Sequence, residues 1–143
     1  MLDLGCGLSF LGAFLCNNTK CLSVLGVDTN ERVLHHQARA FKTLSPRLSF
    51  QQMNAFALPD LEKFNIIFDK GTTDLFFASS KEAVKVPVLL NQLHGLLQDD
   101  GILVIVTGVP FSCREKYMDN KMWYIREELL VPELGTMLIC SKK

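Results

Sequence analysis

Met1-Leu2-Asp3-Leu4-Gly5-Cys6-Gly7-Leu8-Ser9 opens the chain with an apolar strand pattern, an acid and a Gly-x-Gly turn. An apolar helical stretch follows it. Glycines at such a strand–turn–helix junction let the backbone approach a ligand where a Cβ would collide. Val24-Leu25-Gly26-Val27-Asp28 is a second apolar run that ends in a carboxylate. A carboxylate about 20 residues past the glycine turn is placed to accept hydrogen bonds from ribose hydroxyls. Together the two runs predict a βαβ unit that holds an adenosine-bearing ligand.

The turn also discriminates among such ligands. A dinucleotide fingerprint needs G-x-G-x-x-G, but Phe10 stands at the third glycine position and Gly12 is out of register. No G-x-x-x-x-G-K-[ST] run exists, which excludes a phosphate-cradling P-loop. Residues 1–18 carry no Lys or Arg, so apart from a helix N-terminus nothing in the loop favours a pyrophosphate. A cofactor with adenosine and no phosphate fits better. S-adenosyl-L-methionine is such a molecule, with a ribose for Asp28, a cationic sulfonium and a zwitterionic tail.

Three stretches, LDLGCG at 2–7, GVD at 26–28 and FDKGTTD at 68–74, resemble the class I (seven-strand) S-adenosylmethionine-dependent methyltransferases. Within them, Asp69-Lys70-Gly71-Thr72 is similar to the branch that methylates lysines of proteins such as elongation factor 1A and citrate synthase. The resemblance covers residues 1–106 and, more weakly, the tail. It implies an α/β fold with a doubly wound, mostly parallel Rossmann-like sheet that finishes in a C-terminal antiparallel hairpin. It also implies a protein substrate. Upstream helical sequence covers the cofactor in that family, whereas here only 1–4 precede the glycine turn. Strands usually run to about five or six residues, so the sequence is expected to be a shortened form of a single methyltransferase domain.

Site roles follow from the same resemblance. Asp3 corresponds to the acid that helps hold the methionine ammonium. Gly5, Cys6 and Gly7 form the floor under methionine and ribose, Asp28 grips the ribose diol, and Thr29 lies at the edge of the adenine. Asn54 and Ala55 follow the third strand on the adenine side. The family usually carries an aspartate where Asn54 stands; a neutral amide carbonyl accepts the same bond more weakly, so cofactor binding is expected to be weakened, not abolished. A turn role for Asn54 is the alternative. Asp69 would hold the ammonium or position an incoming amine. Lys70, Gly71, Thr72 and Asp74 are substrate-side candidates: Lys70 is expected to point away and pair with an acid, and Asp74 to attract a cationic lysine. Methyl transfer is largely alignment of nucleophile, methyl and sulfur, and desolvation lowers a lysine pKa, so no catalytic base is assigned. Two other readings stay open: a small-molecule methyltransferase, and a binding or scaffold module that has lost activity. The missing third glycine disfavours a nicotinamide oxidoreductase.

Composition bounds these readings. One domain is expected of 143 residues, with 48% hydrophobic and 21% charged residues, ordinary globular values. The 15 basic and 15 acidic residues cancel, which gives nucleic-acid binding no electrostatic support. Apolar runs such as 102–106 are too short to span a bilayer, and Asp3 interrupts any signal-peptide pattern. The odd count of five cysteines, with no C-x-x-C, reads as free thiols in a reducing compartment, the cytoplasm. A lost mitochondrial presequence would redirect that assignment. Cys6 has no identifiable base partner and is not expected to act as a nucleophile. His35, His36 and His94 have no metal-ligand spacing, and no metal is expected.

Periodicity predicts strands at 1–4, 22–28, 48–53, 64–69 and 102–106, alternating with helices, as a parallel sheet covered on both faces requires. The first helix, over 9–16, should turn Leu11, Phe14 and Leu15 inward. The second, capped by Thr29 or Asn30, should bury Leu34, Ala38 and Phe41. Ser79 and Glu82 have capping-box spacing, but Pro87 argues for a helix over 87–97 instead. Asp99-Asp100-Gly101 reads as a turn. Runs at 124–131 and 136–141, joined through Pro132 and Gly135, read as the antiparallel hairpin. The polar stretch 114–121 reads as a mobile surface segment.

Overall fold

The computed structural model describes residues 1–59, 61–118 and 121–143. The alternating pattern resolves into one seven-stranded sheet. Its elements are β1 (Leu2–Leu4), α1 (Leu11–Asn18), β2 (Val24–Asp28), α2 (Glu31–Ala40), β3 (Leu48–Gln52), β4 (Phe64–Lys70), α3 (Ser80–Ala83), α4 (Val86–Leu96), β5 (Leu97–Thr107), α5 (Phe111–Arg114), β6 (Trp123–Val131) and β7 (Gly135–Lys142). The spatial order is β3-β2-β1-β4-β5-β7-β6. Strands β1 to β5 run parallel, and β7 pairs antiparallel with both β5 and β6. This is the doubly wound sheet with a terminal hairpin that the sequence implies.

Although β1 is only three residues long, it pairs on both sides, with Leu4 opposite Val27 on β2 and Asp69 on β4. Successive strand residues face opposite sides of a sheet. Leu2 and Leu4 enter the main core with Ile67, Leu89, Leu90, Leu93, Leu103, Ile105 and Leu138, while a second core under α1 gathers Ala13, Leu15, Cys16, Val24 and Leu48. Strand order reverses between β1 and β4, running outward to β2 and β3 on one side and to β5 on the other. In open α/β sheets, ligands bind beyond the carboxyl ends of the strands at such a switch point.

Several local expectations change in three dimensions. Leu15 faces inward as expected, but Phe14 is 60% exposed and Ala13 and Cys16 are buried beside Leu15. The buried face runs through Gly12, Ala13, Leu15 and Cys16, which at 100° per residue puts Phe14 on the opposite side. On α2, Ala38 is exposed and Gln37 takes the buried position. Asn30 is the cap, its side-chain oxygen accepting from Arg32 N at 3.1 Å and Val33 N at 3.5 Å. Ser79 caps the one-turn α3 by accepting from Glu82 N at 3.3 Å, and Pro87 sits in the first turn of α4, where it lacks only an N–H that a helix start leaves unpaired. Asp99-Asp100-Gly101 lies within β5, where the β4 register shifts between Phe64 and Ile66. Part of the polar 114–121 stretch is helical, and Arg114 is fully buried, not a mobile surface residue; 119–120 lie outside the described residues. Among the described residues no helix is long and apolar enough to cross a membrane.

Leu93 is fully buried at the centre of the main core. Leu93→Ala should therefore destabilise the fold by about 2–5 kcal/mol. The protein has one tryptophan, and it is buried, so a lowered urea midpoint followed by Trp123 fluorescence reports the loss.

Candidate functional site

The glycine turn folds back on itself through two left-handed glycines, Gly5 at φ +60° and Gly7 at φ +51°. A Cβ on Gly5 would lie 2.1 Å from Thr72 Oγ1, so the absent side chain is what lets the β4 loop rest on the turn. Thr72 completes that contact by donating its hydroxyl to Leu4 O at 2.8 Å. From the other side, Cys6 N donates to Val27 O at 2.9 Å and Gly7 N donates to Asp28 Oδ2 at 3.0 Å. Asp28 Oδ1 accepts from Asn30 N at 2.9 Å, which links the turn to the start of α2. Each carboxylate oxygen offers two lone pairs, so the partly exposed Asp28 keeps acceptor capacity on both oxygens.

Gln37 is a positioning residue that sequence reasoning missed. Its Nε2 donates to Gly7 O at 2.7 Å and Ser9 O at 2.9 Å from a buried position. Its polarity in the middle of an amphipathic helix was the available signal.

A cavity of about 200 Å³ opens between the glycine turn and Asp28, lined also by Thr29, Asn54, Ala55, Phe56, Thr72 and Phe76. The Phe56 and Phe76 rings meet edge to face at 5.0 Å between centroids and form its aromatic wall. Neither ring was singled out in the sequence. The structure thus brings Gly5, Asp28, Thr29, Asn54, Ala55 and Thr72 together around one space. Asn54 adopts the turn alternative: its Oδ1 accepts from Phe56 N at 2.9 Å. That bond leaves one lone pair and the amide N–H groups for a ligand.

Cys6 and Asp3 lie beneath the turn instead of lining the cavity. Burial, then the charges of Asp3 and Asp28, push the Cys6 thiol up to about 12, which removes it as a nucleophile. Asp3 is 3% exposed. Burial raises its pKa to about 7, with Lys70 lowering it and Asp69 and Asp28 raising it.

Asp69 has a different place from the one expected. It is fully buried and lies off the cavity lining. One oxygen accepts from Thr72 N at 2.9 Å and Thr73 N at 3.1 Å, and the other accepts from the Thr73 hydroxyl. The carboxylate therefore anchors the turn after β4. Burial raises its pKa, against the Thr73 hydrogen bonds and the Arg114 charge.

Asp74 is likewise committed. It pairs with the guanidinium of buried Arg114 and accepts from Thr107 Oγ1 at 2.6 Å and Gly108 N at 2.8 Å. A carboxylate neutralised in this way is not free to attract a cationic substrate. Arg114 also donates to Thr73 Oγ1 and Thr107 Oγ1, each at 2.8 Å, and lies 4.7 Å from the Phe77 ring centroid. Its Nε has no partner among the described residues. Lys70 is exposed as expected, but no acid lies within ion-pair distance among the described residues. Gly71 holds φ +79° with open space around it. No group of three or more metal-ligating side chains occurs among the described residues.

A family model described as "Methyltransferase domain" matches residues 1–133. The chain belongs to this family, the class I S-adenosylmethionine-dependent methyltransferases. Solved structures share the fold. A TehB-like S-adenosylmethionine-dependent methyltransferase from Corynebacterium glutamicum is 19% identical with a TM-score of 0.74, covering 99% of this chain and 79% of that one. N-methyltransferase NodS from Bradyrhizobium japonicum is 14% identical with a TM-score of 0.72, over 99% and 84%. Magnesium protoporphyrin IX methyltransferase from Synechocystis, solved with bound S-adenosylhomocysteine, is 15% identical with a TM-score of 0.75, over 99% and 73%. No curated protein matches the sequence.

Removing one partner of a buried ion pair strands the other charge, at a cost of about 3–5 kcal/mol. Arg114→Ala should show that loss in chemical denaturation, and Asp74→Asn a smaller one. Asp3 gives a pH signature. Its folded pKa, about 7, lies above the unfolded carboxylate value, so its stabilising contribution is complete below about pH 4 and fades as pH rises toward 7. Asp3→Asn should flatten the fall in urea midpoint across that window.

Proposed function

We propose that the cavity between the glycine turn and Asp28 binds S-adenosyl-L-methionine and that the chain transfers its methyl group to a lysine amine of a protein. The observation that carries the cofactor half is the Asp28–Gly7 arrangement. The carboxylate is held at 3.0 Å from a left-handed glycine N–H, at the carboxyl end of β2, with acceptor capacity left on both oxygens. That geometry suits a vicinal diol. The Phe56 and Phe76 rings suit a flat purine, and Asn54 keeps its amide donors for the ring nitrogens. Asp3, buried and off the cavity lining, would act on a methionine ammonium only through the turn above it.

When bound, S-adenosylmethionine supplies an electrophilic methyl on a sulfonium sulfur. The protein's part is alignment and the exclusion of water. Asp28 is the only ionisable side chain on the cavity lining among the described residues, so no base is assigned. Leu75 and Phe76 at the rim present apolar surface, which favours the neutral, nucleophilic form of an incoming amine. The lysine reading rests on the resemblance of Asp69-Lys70-Gly71-Thr72 to protein-lysine methyltransferases. Asp69 and Thr72 fix the shape of that loop through their hydrogen bonds, while Lys70 and Gly71 stay at its surface.

Titration calorimetry with S-adenosylmethionine should give micromolar binding, about −8 kcal/mol. Gly5→Ala, which drives a methyl into Thr72, should weaken it at least tenfold. An absence of heat at millimolar cofactor with folded protein would defeat the cofactor assignment. Tritium transfer from labelled cofactor into a lysate then tests the acceptor: label on lysine of a protein band supports the reading, and label only in the small-molecule fraction refutes its lysine half.

A further inference from the structure

Cys16 and Cys21 face each other across the C-terminal end of α1, at the end of the sheet opposite the proposed cofactor cavity. Cys16 lies in the last turns of the helix and is 2% exposed, whereas Cys21 is partly exposed and lines an open cleft of about 560 Å³. The two thiols lie close enough to interact with each other. Each sulfur also meets a backbone carbonyl, Cys16 Sγ at 3.9 Å from Arg47 O and Cys21 Sγ at 3.5 Å from Leu15 O.

The turn that joins them is held from both sides. Arg47 Nη2 donates to Cys16 O at 2.7 Å and Cys21 O at 3.1 Å. Thr19 Oγ1 donates to Leu15 O at 2.7 Å and accepts from Cys21 N at 3.2 Å. The two cysteines are thus held close by a braced backbone and not merely by nearness in sequence.

The surroundings also make the pair unequal. Burial pushes Cys21 up, but its polar neighbours Thr19, Cys16 and Arg47 and the Arg47 charge outweigh it and leave the thiol below its usual range. Burial, then the neighbouring Cys21, holds Cys16 above its own. A more acidic, accessible thiol beside a protonated, shielded one is the division of labour between attacking and resolving cysteines.

We propose that Cys16 and Cys21 form an oxidisable dithiol that a peroxide converts to an intramolecular disulfide. The Cys21 thiolate sulfur attacks one peroxide oxygen, the O–O bond breaks, and the departing hydroxide takes up a proton to leave as water. Cys21 is then a sulfenic acid. The Cys16 sulfur attacks the Cys21 sulfur, loses its thiol proton, and expels the sulfenic oxygen as a second water. Two thiols are oxidised by two electrons and one hydrogen peroxide is reduced. The other cysteines have no such partner arrangement: Cys6 and Cys140 are buried with thiols pushed up to about 12, and Cys113 is exposed. The inference stands apart from the methyl-transfer reading.

The test uses the reduced, folded protein treated with hydrogen peroxide, alkylated, digested without reductant and analysed by mass spectrometry. A Cys16–Cys21 cross-linked peptide should form and disappear with dithiothreitol, at least tenfold faster in folded protein than in protein unfolded in urea. In Cys16→Ser, Cys21 should accumulate as a sulfenic acid that dimedone traps, ahead of Cys113. Equal rates in folded and unfolded chains, or oxidation of Cys21 no faster than Cys113 with no cross-linked peptide, would overturn the proposal.

Discussion

The hydrogen bond from Gly7 N to the Asp28 carboxylate joins the two halves of the ligand-binding end of the sheet. It ties the turn after β1 to the end of β2, and through Asn30 N it reaches the first turn of α2. Gln37 closes the circuit by donating back to the carbonyls of Gly7 and Ser9. A left-handed turn has few internal hydrogen bonds with which to define its shape. Here neighbouring elements define it, so the bare backbone of the glycine turn is presented in one conformation. Such preorganisation lowers what a ligand must spend in ordering its site.

The opposite flank is built on different principles. Asp69, Thr73, Asp74, Thr107 and Arg114 form a largely buried polar network that pins the turn after β4 to the end of β5 and to α5. Thr72 and Phe76 project from that pinned turn into the cavity wall. The acids of the FDKGTTD stretch thus act on scaffolding, not directly on a ligand. Polar networks of this kind are stabilising only when their members are satisfied, and a single orphaned charge makes them costly. The unpartnered Nε of Arg114 is the one gap among its described atoms.

What was legible in the sequence was whatever local chemistry dictates. Gly5 and Gly7 announce positive φ, Asp28 announces a strand end facing the turn, and Pro132 with Gly135 announces a hairpin. What was not legible depended on phase or distant partners. The face of α1 that packs down excludes Phe14, and on α2 Gln37 is buried where Ala38 was expected. Arg114 stands in a stretch of charged residues and reads as solvated, because its partners Thr73 and Asp74 lie some 40 positions earlier in the chain. The same long-range pairing engages Asp74, while Asp69 is taken up by its near neighbours Thr72 and Thr73.

The final hairpin has a consequence for biosynthesis. β7 follows β6 in the chain yet lies inside the sheet, between β5 and β6. As the polypeptide emerges from the ribosome, β6 therefore has no docking edge of its own. The flank of β5 that carries Leu103 and Ile105 waits for Leu138 and Cys140 to arrive. Parallel pairing of the earlier strands can proceed co-translationally, but the sheet is sealed in a single late step, in which two strands are added together. Lesions in 135–142 thus strip both from the nascent sheet, since among the described residues β6 pairs only with β7.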